Sequence, residues 1–156
     1  FQRFVERRLM YIPNNPALFG YQVVVDEDDN IEEEFHHYLG ASLDASIEEV
    51  EQKTHELSGI FIPAHVDRPR NSLFSQLGFL PSDLKVDALQ ISKLAEEKAV
   101  RERYRIVPEL TLVKFSDAHY IQDLGSIFTE FNMEEPSFQE LRKALKGEDG
   151  RSVRIP

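Results

Sequence analysis

The sequence predicts an α/β fold, and three observations carry that expectation. Three apolar runs, GIFIPAH, VDALQIS and ELTLVKFSDAH, read as buried strands. Helical or turn-rich segments separate them, and the first begins where an amphipathic helix stops. Strands joined by such crossovers pair in parallel, the arrangement of α/β proteins.

Taken in chain order, Phe1, Phe4, Val5 and Leu9 fall on one face of a helix, and the chain starts in that pattern without a methionine. A truncated or processed chain is therefore expected. YIPNNPALFGY, with two prolines, two asparagines and a glycine, predicts an irregular connection. YQVVV and IEEEF flank DEDDN and predict a hairpin, because Asp and Asn tolerate the positive φ of tight turns. In SIEEVEQKTHELSG, Ser46 and Glu49 form an S-x-x-E capping box, Ile47, Val50, Thr54 and Leu57 share a face, and Gly59 provides a stop.

A helix is expected near residues 93–104, and SIFTEF is expected to be a further strand. SFQELRKALKG repeats the capping box with Ser137 and Glu140, an apolar face of Phe138, Leu141 and Leu145, and Gly147 as stop. The expected organisation is a single partial domain: helix and hairpin insert over 1–45, βα units over 46–150, and a loose tail over 151–156.

Composition narrows the chemistry. There is no cysteine, so disulfides, thiolate metal sites and cysteine nucleophiles are excluded, and a metal would be held by His, Asp and Glu. No apolar run approaches the length of a membrane span and the first residues lack a signal-peptide pattern, so a soluble, cytoplasmic protein is expected. The formal charge of −10, from 28 acidic and 18 basic residues, repels a polyanion over most of the surface, so nucleic acid is disfavoured as a partner. DEDDNIEEE reads as a solvated turn and strand face; it lacks the ligand spacing and central glycine of an EF-hand loop.

In parallel α/β folds functional groups gather at the carboxyl ends of strands. Two of the three runs end in candidate ligands: the first in Pro63-Ala64-His65-Val66-Asp67-Arg68-Pro69, the third in Ser116-Asp117-Ala118-His119. In an extended segment Asp117 and His119 project to one side, and a carboxylate beside an imidazole suits Zn²⁺, Mn²⁺ or Fe²⁺. His65 taken alone reads better as a strand-end histidine bonded to a neighbouring carbonyl than as a ligand. His36, His37 and His55 are not proposed as ligands. Arg68 has two readings, a guanidinium that grips a substrate phosphate or one that braces the loop by pairing with Asp67 or a more distant carboxylate.

The ordered set GIFIPAHVDRP, LGFLPSDLKVDALQIS, SDAHYIQDLG and SFQELRKALKG, with NNPALFGYQVVVDEDDNI before it, resembles the PHP superfamily of phosphoesterases. In particular it resembles small stand-alone members with P-A-H-x-D-R-P and S-D-A-H-Y. The resemblance implies the C-terminal part of a distorted (β/α)₇ barrel with an inserted hairpin, and a rim holding up to three divalent metals, Zn, Mn or Fe. It implies that Asp117 serves the first metal, His65 the second and His119 the third. The family's opening H-x-H, further histidines and bridging glutamate have no counterpart in this chain.

The expected activity is metal-dependent hydrolysis of a phosphate monoester or small phosphodiester by the parent protein, with this chain inactive alone. Its expected partners are a small phosphorylated substrate, the missing N-terminal half of the barrel, and further copies joined through exposed strand edges. The alternative is a degenerate, non-catalytic PHP-like module that binds a protein.

Overall fold

The computed structural model describes residues 1–156, which divide into two compact units, Phe1–Lys53 and Thr54–Pro156. In the first unit α1 (Gln2–Glu6) is followed by α2 (Pro16–Phe19) and by a hairpin of β1 (Val23–Val25) and β2 (Ile31–Glu34). Asn15 caps α2 by accepting from the Ala17 N–H, and Pro16 opens the helix where an N–H would have no partner. β1 and β2 pair antiparallel, as the hairpin expectation requires. At the tip the Asp26 carboxylate accepts the backbone N–H groups of Asp28 and Asn30 and the Asn30 side-chain amide. The acidic run is thus an Asx-type turn closed by its own hydrogen bonds.

α3 (Ile47–Glu56) spans the boundary between the units and begins with both halves of the expected capping box. Ser46 Oγ accepts from the Glu49 N–H, and Glu49 Oε2 accepts from the Ser46 N–H. The helix stops at Gly59, whose N–H donates to the Thr54 carbonyl. A Cβ at Gly59 would lie 2.7 Å from Thr54 Cγ2, so only glycine fits that close return.

In the second unit α4 (Leu73–Leu77), β3 (Leu89–Gln90), α5 (Glu97–Tyr104), β4 (Leu112–Val113), β5 (Glu130–Asn132), α6 (Phe138–Lys146) and β6 (Ser152–Arg154) follow in order. β3 and β4 pair in parallel, Leu89 against Leu112 and Gln90 against Val113. Residues 60–64 run beside β3 without forming a regular strand. The Phe61 and Pro63 carbonyls accept from the N–H groups of Asp87 and Gln90, but Pro63 has no N–H to return and His65 turns the backbone to φ 47°. His55 Nε2 and the Phe61 N–H both meet the Asp87 carboxylate, at 3.0 and 2.7 Å, which secures the start of this layer.

The core lies along these runs: Val66, Leu89, Ile91 and Val113 are fully buried. Ala88, Val113 and Leu145 form a cluster against which Ile60, Ile62, Phe131, Leu141 and Val153 pack. On the side of β4 that faces away from β3, Thr129 Oγ1 accepts from the Lys114 N–H and donates to the Lys114 carbonyl.

Besides the missing strand at residues 60–64, four expectations are corrected. The structure has three separate two-stranded sheets and no closed barrel. Residues 151–156 are no loose tail, since Ser152–Arg154 forms β6 antiparallel to β5. The strand expected in SIFTEF is regular only at Glu130–Asn132. At α6 the capping box is half made: Ser137 Oγ accepts from the Glu140 N–H, but the Glu140 carboxylate turns to Arg151, Lys143 and the Glu134 N–H. Two cations and an amide outcompete the single Ser137 N–H for a buried carboxylate.

Candidate functional site

The functional groups of the second unit collect where the β3 and β4 runs end. A cavity of about 360 Å³ is lined by His65, Arg68, Ser92, Lys93, Phe115, Ser116, Asp117, His119, Tyr120 and Asp123. All four residues singled out from the sequence are therefore around one space.

Backbone geometry sets their approach. His65 and Asp117 both adopt positive φ, 47° and 51°. Five other non-glycine residues of the chain share this conformation, which Asp and His adopt more readily than most residues, so it sets local direction without by itself marking a site. The bend at Asp117 also corrects the extended geometry expected for Asp117 and His119. The two side chains do not simply project to one side of a strand. Instead His119 Nδ1 lies 2.7 Å from the Asp117 backbone carbonyl. A proton on Nδ1 satisfies that carbonyl and leaves the Nε2 lone pair available, the arrangement that orients metal-binding histidines.

Asp117 is the hub. Its Oδ2 accepts from Arg68 Nη2 at 2.6 Å and lies 3.4 Å from His65 Nε2. The Arg68 hydrogen bond, with help from the charges of His65 and His119, holds the Asp117 carboxyl below the ordinary carboxylate range against the opposing effect of burial. Arg68 thus braces the loop, but through Asp117 and not through its neighbour Asp67. The Asp67 Oδ1 instead accepts from the Ser92 N–H and Oγ, at 2.7 and 3.0 Å, locking the His65 loop to the end of β3. The Arg68 side chain is 48% exposed and that of Asp117 34%, so the pair is screened by water and salt. It orients the carboxylate more than it stabilises the fold.

The donor set, two imidazoles and a carboxylate, suits a borderline divalent cation. No group of three or more His, Asp and Glu side chains converges as a metal site in this structure. His65, Asp117 and His119 line one cavity without closing on a common point. His36 is exposed beside Glu34, His37 packs against Tyr11 and Phe35, and His55 pairs with Asp87. Lys93 was missed by the sequence reading. The signal was available, since Lys93 directly follows VDALQIS at a strand's carboxyl end, the rule that selected His65 and Asp117.

Comparison with known proteins places this site in context. The family described as PHP-associated matches residues 116–149, the stretch that carries Asp117 and His119. The uncharacterized protein YqxK of Bacillus subtilis is 28% identical over 109 residues, 67% of this chain and 28% of that protein. The crystal structure of the lesion-specific endonuclease PfuEndoQ from Pyrococcus furiosus superimposes with a TM-score of 0.67 at 28% identity, covering 76% of this chain and 30% of that one. Endonuclease Q in complex with a 27-mer duplex substrate, with an abasic lesion at the active site, gives a TM-score of 0.59 at 28% identity over 72% of this chain and 29% of that one. The chain spans under a third of the length of each of these relatives. No helix is long and apolar enough to cross a membrane.

The likeness to a nuclease solved on duplex overturns the expectation that nucleic acid is disfavoured. That expectation treated the charge of −10 as uniform, whereas binding answers to the local field. Twelve acidic and only four basic residues lie in residues 1–53, leaving sixteen acidic and fourteen basic in the unit that holds the cavity. The near balance there removes the electrostatic objection. Residues 116–149 thus match the PHP-associated family, and the fold of the chain is similar to part of Endonuclease Q.

Proposed function

We propose that this chain furnishes part of the rim of a PHP-type barrel in a metal-dependent hydrolase that cleaves a phosphodiester of nucleic acid. The observation that carries the reading is the Asp117 carboxylate, set beside His65 and Arg68 in one cavity with His119. The choice of nucleic acid over a small phosphate ester rests on the likeness to Endonuclease Q.

In this reading His65, Asp117 and His119 would hold divalent cations, Zn, Mn or Fe, together with ligands from outside the chain; such cations, when bound, would supply Lewis-acid chemistry at a phosphate ester. The chain's own residues do the positioning. The Asp117 carbonyl selects the His119 tautomer with its proton on Nδ1. The hydrogen bond from Arg68 holds the Asp117 carboxylate in place, so little reorganisation would be needed when it takes up a ligand role. Asp67, by holding Ser92, keeps the His65 loop and the end of β3 at a fixed spacing.

The test uses the full-length protein with Mn²⁺ and a labelled duplex carrying one abasic site, beside p-nitrophenyl phosphate. The expected result is strand cleavage that falls at least about a hundredfold in Asp117→Asn, the size of effect from removing one preorganised charged group. Turnover of the small phosphate with the duplex intact would make the protein a phosphomonoesterase instead. A folded protein that turns over neither would favour the non-catalytic, partner-binding module.

A further inference from the structure

Two cations line the cavity, and they are not equivalent. Arg68 has its Nη2 on Asp117 Oδ2 at 2.6 Å, so its charge is already met and part of its hydrogen-bonding fork is in use. Lys93 is exposed, lines the same cavity, and is drawn into no ion pair. A phosphate approaching Arg68 must compete with a carboxylate, and one approaching Lys93 need not.

The mount of Lys93 is rigid where it matters. Gln90 donates to the Pro63 carbonyl and Ile91 to the Val113 carbonyl, each at 3.0 Å, so the backbone is held from both flanking runs. Ser92 is then fixed by two hydrogen bonds to Asp67, and the Ala95 N–H closes a turn onto the Ser92 carbonyl. The chain therefore delivers a flexible ammonium from an immobile base, just beyond the carboxyl end of a parallel strand, where α/β folds take their ligands. A lysine acts there as a compact point charge that follows a phosphate without demanding bidentate geometry.

We propose that Lys93, and not Arg68, is the residue of this chain that binds the substrate phosphate, while Arg68 serves as a positioning residue for Asp117. The proposal rests on the nucleic-acid reading given above, and it gives to Lys93 the phosphate-binding role that was one of the two readings the sequence left open for Arg68.

Salt dependence separates the two residues. Each cation that neutralises a phosphate of duplex DNA contributes about 0.9 to the slope of log affinity against log salt concentration. Full-length protein in EDTA is titrated with a 27-base-pair duplex carrying one abasic site, read by fluorescence anisotropy over a range of salt. Lys93→Gln is expected to weaken binding at low salt and to lower the slope by about one, and Lys93→Arg to restore the slope. Arg68→Gln is expected to leave the slope unchanged while reducing turnover once metal is present.

Loss of slope in Arg68→Gln, with Lys93→Gln indistinguishable from wild type, overturns the assignment and returns the phosphate to Arg68. Wild-type protein that neither binds nor cuts the duplex overturns the nucleic-acid reading and this assignment with it. Wild-type binding and cleavage that are indifferent to Lys93→Gln overturn only the role of Lys93.

Discussion

Arg68 and Asp117, 49 residues apart in the chain, are joined by a 2.6 Å hydrogen bond between guanidinium and carboxylate across the cavity. That bond leads the causes that hold the Asp117 carboxyl low. Replacing Arg68 by Gln removes it, so the Asp117 pKa is expected to rise toward the ordinary carboxylate value. Carbon-detected NMR titration of the Asp117 carboxyl reads the change. An unaltered titration would show that the two imidazoles, and not Arg68, set the ionisation. Stability should change little, because the pair is solvent-exposed.

Metal binding by this chain alone is expected to be weak, because catalytic sites ordinarily require about three protein ligands and no three converge here. Isothermal titration of the 156-residue chain with Zn²⁺ or Mn²⁺ should give no stoichiometric uptake, and p-nitrophenyl phosphate should not turn over. Tight uptake abolished by Asp117→Ala would mean that His65, Asp117 and His119 close on one ion.

Acid sensitivity is expected from Glu140. Hydrogen bonds from Arg151, the Glu134 N–H and Lys143 lower its carboxyl from 4.5 to about 2. Because the folded value is depressed, the stabilisation is fully present above the unfolded value of 4.5 and is lost as pH falls through about 2. The melting temperature should therefore drop over that window, and Glu140→Gln should flatten the drop while lowering stability at neutral pH. Thermal melts of both proteins across the window decide it; parallel curves would assign the acid response to other carboxylates.

Leu89 is fully buried between the run at residues 60–64 and β4. Leu89→Ala should cost about 2–5 kcal/mol, the range for truncating a core leucine. Urea denaturation measures it, and Val24→Ala in the exposed hairpin should cost a small fraction of that.

Legibility in the sequence followed the range of the forces involved. The Ser46–Glu49 capping box, the Gly147 stop at φ 66° and the Asp26 turn depend on residues within a few positions of one another, and the sequence shows each of them. Gathering of His65, Asp117 and His119 at one cavity was also legible, because strand ends are a topological address. The partners of charged groups were not. Glu140 turned to Arg151 and Arg68 turned to Asp117, choices settled by packing between segments distant in sequence. β6 escaped notice for the same reason, since Ser152–Arg154 becomes a strand only against β5.

The Asp26 turn bears on the order of folding. Its carboxylate ties Asp28 and Asn30, so β1 and β2 can meet without waiting for any remote segment. Hairpins of this kind form in about 1–10 μs, whereas parallel pairing such as β3 with β4 must first close a long crossover. The hairpin is thus positioned to appear first as the chain folds. With Val23, Val24, Val25 and Ile31 exposed, it has little burial to hold it, and it should also be the first segment to exchange its amide protons in the native protein.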